Sequence, residues 1–177
     1  MRVTRPTVVL AAILVLAGAP GRVRAEEPCL TVADLLRMSQ PELEALYRAA
    51  DVGTVPCGST RGRAIYHPGT RATVPASRAI HLLWKGKVFR DDGTMINRTF
   101  AGRAVTARVF VGESWLDGRP TLVLDYADTS RLFRGVRDEQ REVAPGVYLG
   151  LTYLRKHAGP ELALFYALDA GARPGRR

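Results

Sequence analysis

From about Gly62 onward, apolar residues recur at every second position, in runs broken by glycine-bearing turns. Leu122, Leu124 and Tyr126 alternate with Thr121, Val123 and Asp125. Val105, Ala107, Val109 and Val111 alternate with Ala104, Thr106, Arg108 and Phe110. Leu162, Leu164, Tyr166 and Leu168 alternate with Glu161, Ala163, Phe165 and Ala167. A period of two is the signature of strands that show each face to a different environment. Asp91-Asp92-Gly93, Ala101-Gly102, Asp117-Gly118, Ala144-Pro145-Gly146 and Ala158-Gly159-Pro160 separate the runs. The pattern predicts strands at 61–67, 79–90, 94–100, 103–113, 119–127, 131–143, 147–156 and 161–169. Short turns between about eight strands make an antiparallel meander. A flat meander leaves two edges bare, and closing it removes both. The expected fold is therefore mainly β, with the meander closing into a lipocalin-like barrel over 59–170. A two-sheet sandwich is the rival.

Before the strands the period is helical. Thr31 with Asp34, and Ser39 with Glu42, have the spacing of capping boxes. Pro41 suits a first helical turn. Leu43, Leu46, Tyr47 and Ala50 share one face, and Gly53 marks the stop. Residues 26–58 thus read as a short helical segment bracketed by Cys29 and Cys57.

The first 25 residues read as an address. Arg2 and Arg5 precede twelve uncharged residues, Val8 to Ala19; Pro20-Gly21 and Val23-Arg24-Ala25 follow. This is the layout of a secretory signal, cleaved after Ala25. Twelve apolar residues span about 18 Å as a helix, against about 30 Å of hydrocarbon, so a membrane-spanning anchor is disfavoured. Export leaves a periplasmic or secreted chain and gives the cysteines a meaning. Two cysteines in an oxidising compartment predict a Cys29–Cys57 disulfide. It would close a loop of 28 residues and stabilise the fold by about 3–4 kcal/mol.

Charge narrows the partners. The chain carries a net +9, but four arginines lie in the first 25 residues and three in the last five. The remainder carries only +2. Residues 171–177 read as a disordered basic tail. A nearly balanced middle argues against a phosphate-tracking surface and hence against nucleic acid. His67, His81 and His157 lack ligand spacing, and no nucleotide-binding or metalloprotease motif is present, so no metal or cofactor is expected. Gly112-Glu113-Ser114 is not a nucleophile elbow, because Leu116 stands where the second glycine belongs.

Three segments carry candidate chemistry. In Leu83 to Phe89, Trp84 shares a face with Ile80, Leu82 and Val88, and Gly86 leaves room for a bend or a ligand. Lys85 and Lys87, projecting oppositely, read as solvated. In Val111 to Pro120, Trp115 tips a hairpin, packed over a barrel end or exposed at its mouth. In Arg134 to Val143, Arg137, Glu139 and Arg141 share one face and Asp138, Gln140 and Glu142 the other. The arginine-flanked Glu139 would stay ionised and could orient a ligand's carbonyl or carboxylate; a solvated salt-bridge row is the simpler reading. Tyr126, on the apolar face of its strand, needs a partner for its hydroxyl.

Trp84-x-Gly86-Lys87-x-Phe89, the run Ser114 to Pro120, Arg137-Asp138-Glu139-x-Arg141-Glu142-Val143-x-Pro145-Gly146-x-Tyr148-Leu149-Gly150 and the helix Glu42 to Tyr47 together resemble a family of uncharacterised exported bacterial proteins. That likeness implies no activity. In architecture the chain is similar to lipocalin-like, or calycin, barrels, which implies a small apolar ligand; a few barrels of that shape are cofactor-free lyases or cyclases. The expected function is binding of a small, partly apolar molecule, with Trp84, Gly86, Tyr126, Arg137, Glu139 and Arg141 as candidate contacts. The alternatives are a cofactor-free lyase or isomerase using Tyr126 with the Arg137/Glu139/Arg141 face, and an interaction module with a filled core. The two contact sets must converge in one pocket for the enzyme reading to hold.

Overall fold

A computed structural model describes residues 29–102 and 105–171. The expected signal segment lies outside them, as do 172–177 of the expected tail. The elements are α1 (Val32–Leu35), α2 (Gln40–Ala49), β1 (Gly58–Ser59), β2 (Arg61–Ile65), α3 (Thr73–Leu83), β3 (Trp84–Phe89), β4 (Thr94–Thr99), β5 (Thr106–Glu113), β6 (Pro120–Asp125), β7 (Val136–Ala144), β8 (Val147–Lys156) and β9 (Gly159–Asp169). All strand pairs are antiparallel, in one sheet of order β1-β3-β4-β5-β6-β7-β8-β9-β2. The meander is as expected from β3 to β9. The ladder has two ends, β1 and β2, and does not itself form a closed ring.

Those two ends are consecutive in the chain. Only Thr60 separates β1, which pairs with β3, from β2, which pairs with β9. Thr60 is buried, and its backbone N–H and hydroxyl both donate to the Lys87 carbonyl. Strands in a ladder stand about 4.8 Å apart, so a flat sheet would hold β3 and β9 roughly 29 Å from each other. Instead the Lys87 ammonium of β3 lies 4.9 Å from the Tyr166 ring of β9. The sheet is therefore strongly curled.

Curling gives an inner and an outer face, each with its own core. Phe89, Met95, Ala107, Leu122, Leu124, Tyr126, Tyr148, Tyr166 and Leu168 pack on the inner face. Leu149, Leu151, Tyr153, Phe165 and Ala167 pack on the outer face beneath Leu35, Leu43 and Tyr47 of the helices. Both capping boxes form: Asp34 accepts from the Thr31 N–H at 3.0 Å and Glu42 from the Ser39 N–H at 2.7 Å. Leu43 and Tyr47 are fully buried, each worth roughly 1.5–3 kcal/mol of hydrophobic burial.

Two expectations are corrected. Cys29 and Cys57 are both exposed and unbonded. The helical segment is held instead by non-covalent ties: Tyr47 Oη to Thr121 Oγ1 at 2.6 Å, the Arg141 guanidinium to the Tyr47 carbonyl at 2.9 Å, and Arg119 to the Arg48 carbonyl. Second, residues 79–83 are not strand but the end of α3. The buried positions of that helix are Thr73 and Ser77, spaced by four, and His81 one turn on donates its Nδ1–H to the Gly62 carbonyl at 3.1 Å. A polar inward stripe is invisible to a search for apolar periodicity. No helix among the described residues is long and apolar enough to cross a membrane.

Candidate functional site

A cavity of about 360 Å³ opens on the inner face. Its apolar wall includes Ile80, Leu83, Val105, Phe133, Val136 and Leu164; its polar floor is Lys87, Asn97, Tyr126, Asp138 and Thr152, with Trp84 and Tyr166 alongside. Leu83 and Phe133 are partly exposed while Lys87, Tyr126 and Asp138 are buried, so the cavity runs from the surface to a charged interior.

The floor is a closed network. Lys87 Nζ donates to Asp138 Oδ2 at 2.7 Å, to Tyr126 Oη at 3.1 Å and to Asn97 Oδ1 at 3.1 Å. An ammonium has three N–H donors, and all three are used. Tyr126 Oη donates to Asp138 Oδ2 at 2.9 Å and accepts from Asn97 Nδ2 at 2.9 Å. Thr152 Oγ1 donates to Asp138 Oδ1 at 2.7 Å, and Trp84 Nε1 to Asn97 Oδ1 at 3.0 Å. One cation faces one anion, so the floor is neutral overall. Burial, reinforced by the adjacent Asp138 carboxylate, pushes the Tyr126 hydroxyl well above its ordinary range. Tyr166 is raised likewise, by burial first. These phenols hold their protons.

Trp84 and Lys87 meet at the floor because of Gly86. Positions three apart point to opposite faces of a regular strand. The pairing of β3 with β4 shifts register between Trp84 and Gly86, and Gly86 has a φ of 132°. The bulge returns Lys87 to the side of Trp84. A Cβ on Gly86 would also stand 2.4 Å from the Thr60 carbonyl. Gly86 therefore bends the strand and admits the 60–62 backbone; it is not among the residues lining the cavity. Lys87, expected to be solvated, is 2% exposed.

The charged faces of β7 are arranged opposite to expectation. Leu122 pairs with Gln140 and Leu124 with Asp138, which places Asp138 and Gln140 on the inner face. Arg137, Glu139 and Arg141 point outward, yet not into solvent. Glu139 is fully buried beneath the 114–119 turn and accepts from Ser114 Oγ at 2.6 Å and from the Trp115 N–H at 2.9 Å, with Arg137 at 3.1 Å. Arg141, also fully buried, holds both Asp117 oxygens at 2.7 Å and the Tyr47 carbonyl. Trp115 lies on this outer side, its ring 4.3 Å from the Arg137 guanidinium and edge-on to Tyr153 at 5.5 Å. These residues tie a helix and a hairpin to the sheet. Tyr126 and the Arg137/Glu139/Arg141 row are on opposite faces and share no pocket.

Of the expected contacts, Trp84 and Tyr126 line the cavity. Lys87, Asn97, Asp138 and Thr152 were not anticipated as contacts. The apolar partners Leu122 and Leu124 point to Asp138 once the register is known, but a one-residue slip inverts the assignment, and the ten residues 126–135 between β6 and β7 leave it open.

No protein-family model and no curated protein matches the chain. Among solved structures, one described as a protein from Thermomonospora curvata is similar over 75% of this chain and 88% of its own, at 20% identity and a TM-score of 0.47.

Proposed function

We propose that the protein is an exported carrier or sensor of a small, largely apolar, uncharged molecule, held inside a lipocalin-like barrel. The observation that carries this reading is an apolar-walled cavity of about 360 Å³ over a neutral, internally satisfied floor. Ligand pockets usually begin near 300 Å³ and combine apolar walls with a few placed polar groups. The chain segment 58–65, paired at one end with β3 and at the other with β9, supports closure of the curled sheet around that space. Lys87 has no spare donor, and the Lys87–Asp138 pair cancels its own charge, which favours neutral ligands over ionic ones. Asn97 Nδ2 has a second N–H, so one hydrogen-bond acceptor on the ligand can be met at the floor. Proton-transfer chemistry is less well supported, because Tyr126 is held protonated and its expected Arg and Glu partners face outward. A filled structural core fits poorly with the open volume.

The test uses Trp84 as reporter. The chain has two tryptophans, so a Trp115→Phe variant isolates Trp84. Titration with phenylnaphthylamine, a neutral apolar probe, is expected to quench Trp84 saturably by energy transfer. Val136→Phe, which fills the cavity wall, is expected to abolish the response while the thermal midpoint is kept. A folded protein that gives no saturable signal, or a signal indifferent to Val136→Phe, overturns the reading.

A further inference from the structure

The cavity mouth carries exposed apolar side chains from three separate segments. Leu83 at the end of α3 is 69% exposed, Phe100 after β4 is 82% exposed, and Leu132 in the β6–β7 loop is 85% exposed. They are neighbours of the opening: Leu83 and Phe133 line it, Leu132 precedes Phe133, and the Phe100 N–H donates to the Leu83 carbonyl at 2.9 Å. A cluster of large exposed apolar residues at one rim marks an interaction surface.

The charge around that rim identifies its partner. An antiparallel meander puts alternate turns at opposite ends of the sheet. The mouth end comprises 78–83, 98–102, 126–135 and 156–159, and its described residues include Arg78, Arg98, Arg131, Arg134 and Lys156 against a single acid, Asp128. That acid lies 3.6 Å from Arg108. The far end, at 90–93, 113–119 and 142–146, instead carries Asp91, Asp92, Glu113, Asp117 and Glu142 against Arg90 and Arg119. The molecule is thus polarised along its strands, basic where the cavity opens and acidic where it does not. Protruding leucine and phenylalanine inside a ring of arginine is the composition that inserts at the interface of an anionic bilayer. The four most exposed large apolar side chains among the described residues, Leu132, Phe100, Leu83 and Leu82, all lie at this basic end.

We infer that the Leu83/Phe100/Leu132 rim docks on anionic lipid bilayers, with the cavity opening toward the membrane. Docking does not depend on what the cavity holds, and the two readings are tested separately. The full chain would be co-sedimented with vesicles of phosphatidylcholine containing about one-third phosphatidylglycerol, and with pure phosphatidylcholine. Binding is expected on the mixed vesicles only, and is expected to weaken as salt rises. Phe100→Ser with Leu132→Ser, two exposed positions outside the cavity lining, is expected to weaken it about tenfold or more. Arg131→Glu with Arg134→Glu is expected to do the same. Both variants should keep the thermal midpoint and the Trp84 response to phenylnaphthylamine. Equal binding to both vesicle types, no binding by the wild type, or unchanged binding by the serine variant overturns the inference. So does a wild-type dimer in sedimentation velocity that the serine pair splits, since the rim then belongs to a second copy.

Discussion

Lys87 and Asp138 meet at 2.7 Å across the interior of a sheet in which their strands stand four places apart. Their side chains are 2% and 5% exposed. The pair ties β3 to β7 across the inner face of the curled sheet. Removing one partner strands the other charge in a dry environment. Lys87→Met is expected to cost about 3–5 kcal/mol, measured by urea denaturation. Lys87→Met with Asp138→Leu is expected to regain at least half of that, because no charge is left unpaired. A double variant as unstable as the single one would show that hydrogen bonds from Tyr126 and Thr152, rather than charge, dominate the site.

Tyr166 crosses the sheet over Gly150. The two residues are direct partners in β9 and β8, and the Tyr166 hydroxyl reaches past to Gln140 Oε1 on β7 at 3.1 Å. A Cβ on Gly150 would lie 2.0 Å from Tyr166 Cζ. Gly150→Ala is therefore expected to destabilise by about 1–3 kcal/mol or more through forced displacement of the ring. Gly135→Ala, with open space around the added methyl, is expected to stay within about 0.5 kcal/mol. Thermal midpoints of the two variants separate packing from backbone effects; equal shifts would refute the crossing ring as the cause.

Arg141 does the work on the outer face that a disulfide was expected to do. It binds both oxygens of Asp117, the Tyr47 carbonyl, and the Pro120 and Arg119 carbonyls at 3.0 and 3.1 Å. Five contacts need a planar fork, which lysine lacks. Arg141→Lys is expected to cost about 2–3 kcal/mol despite keeping the charge. Cys29→Ser with Cys57→Ser is expected to leave the midpoint of the purified protein within about 0.5 kcal/mol of wild type. A larger loss in the cysteine variant than in Arg141→Lys would reverse the assignment.

The strands were legible because each carries its own alternation, and the capping boxes of α1 and α2 because each lies within four residues. What escaped depended on relations between segments. Lys87 read as a surface charge until the Gly86 bulge turned it inward. Asp138 and Glu139 could not be assigned to faces without the register of β7 against β6. The α3 helix escaped because Thr73, Ser77 and His81 form a polar inward face, while Ile80, Leu82 and Trp84 mimic a strand. Tyr126 and Trp84 were recoverable, since an aromatic on an apolar strand face goes inward whichever neighbour it meets.

Two carboxylates on the outer face give acid stability a definite shape. Hydrogen bonds from Arg141 hold Asp117 below its ordinary 3.8. Its contribution is therefore complete above 3.8 and is lost as pH falls through the lower folded value. Glu139 behaves oppositely: burial outweighs Ser114, the Trp115 N–H and Arg137, and raises it above its ordinary 4.5. Its folded form keeps the proton longer than the unfolded chain, so stability from this group is present below 4.5 and declines as pH rises through the folded value. The wild-type midpoint is expected to fall steeply from about pH 4 toward pH 2. Asp117→Asn is expected to lower the midpoint at neutral pH, by leaving Arg141 without its counter-charge, and to flatten that acid limb. Glu139→Gln is expected to leave the acid limb in place and remove the decline above pH 4.5. An acid limb equally steep in Asp117→Asn would show that another carboxylate governs it.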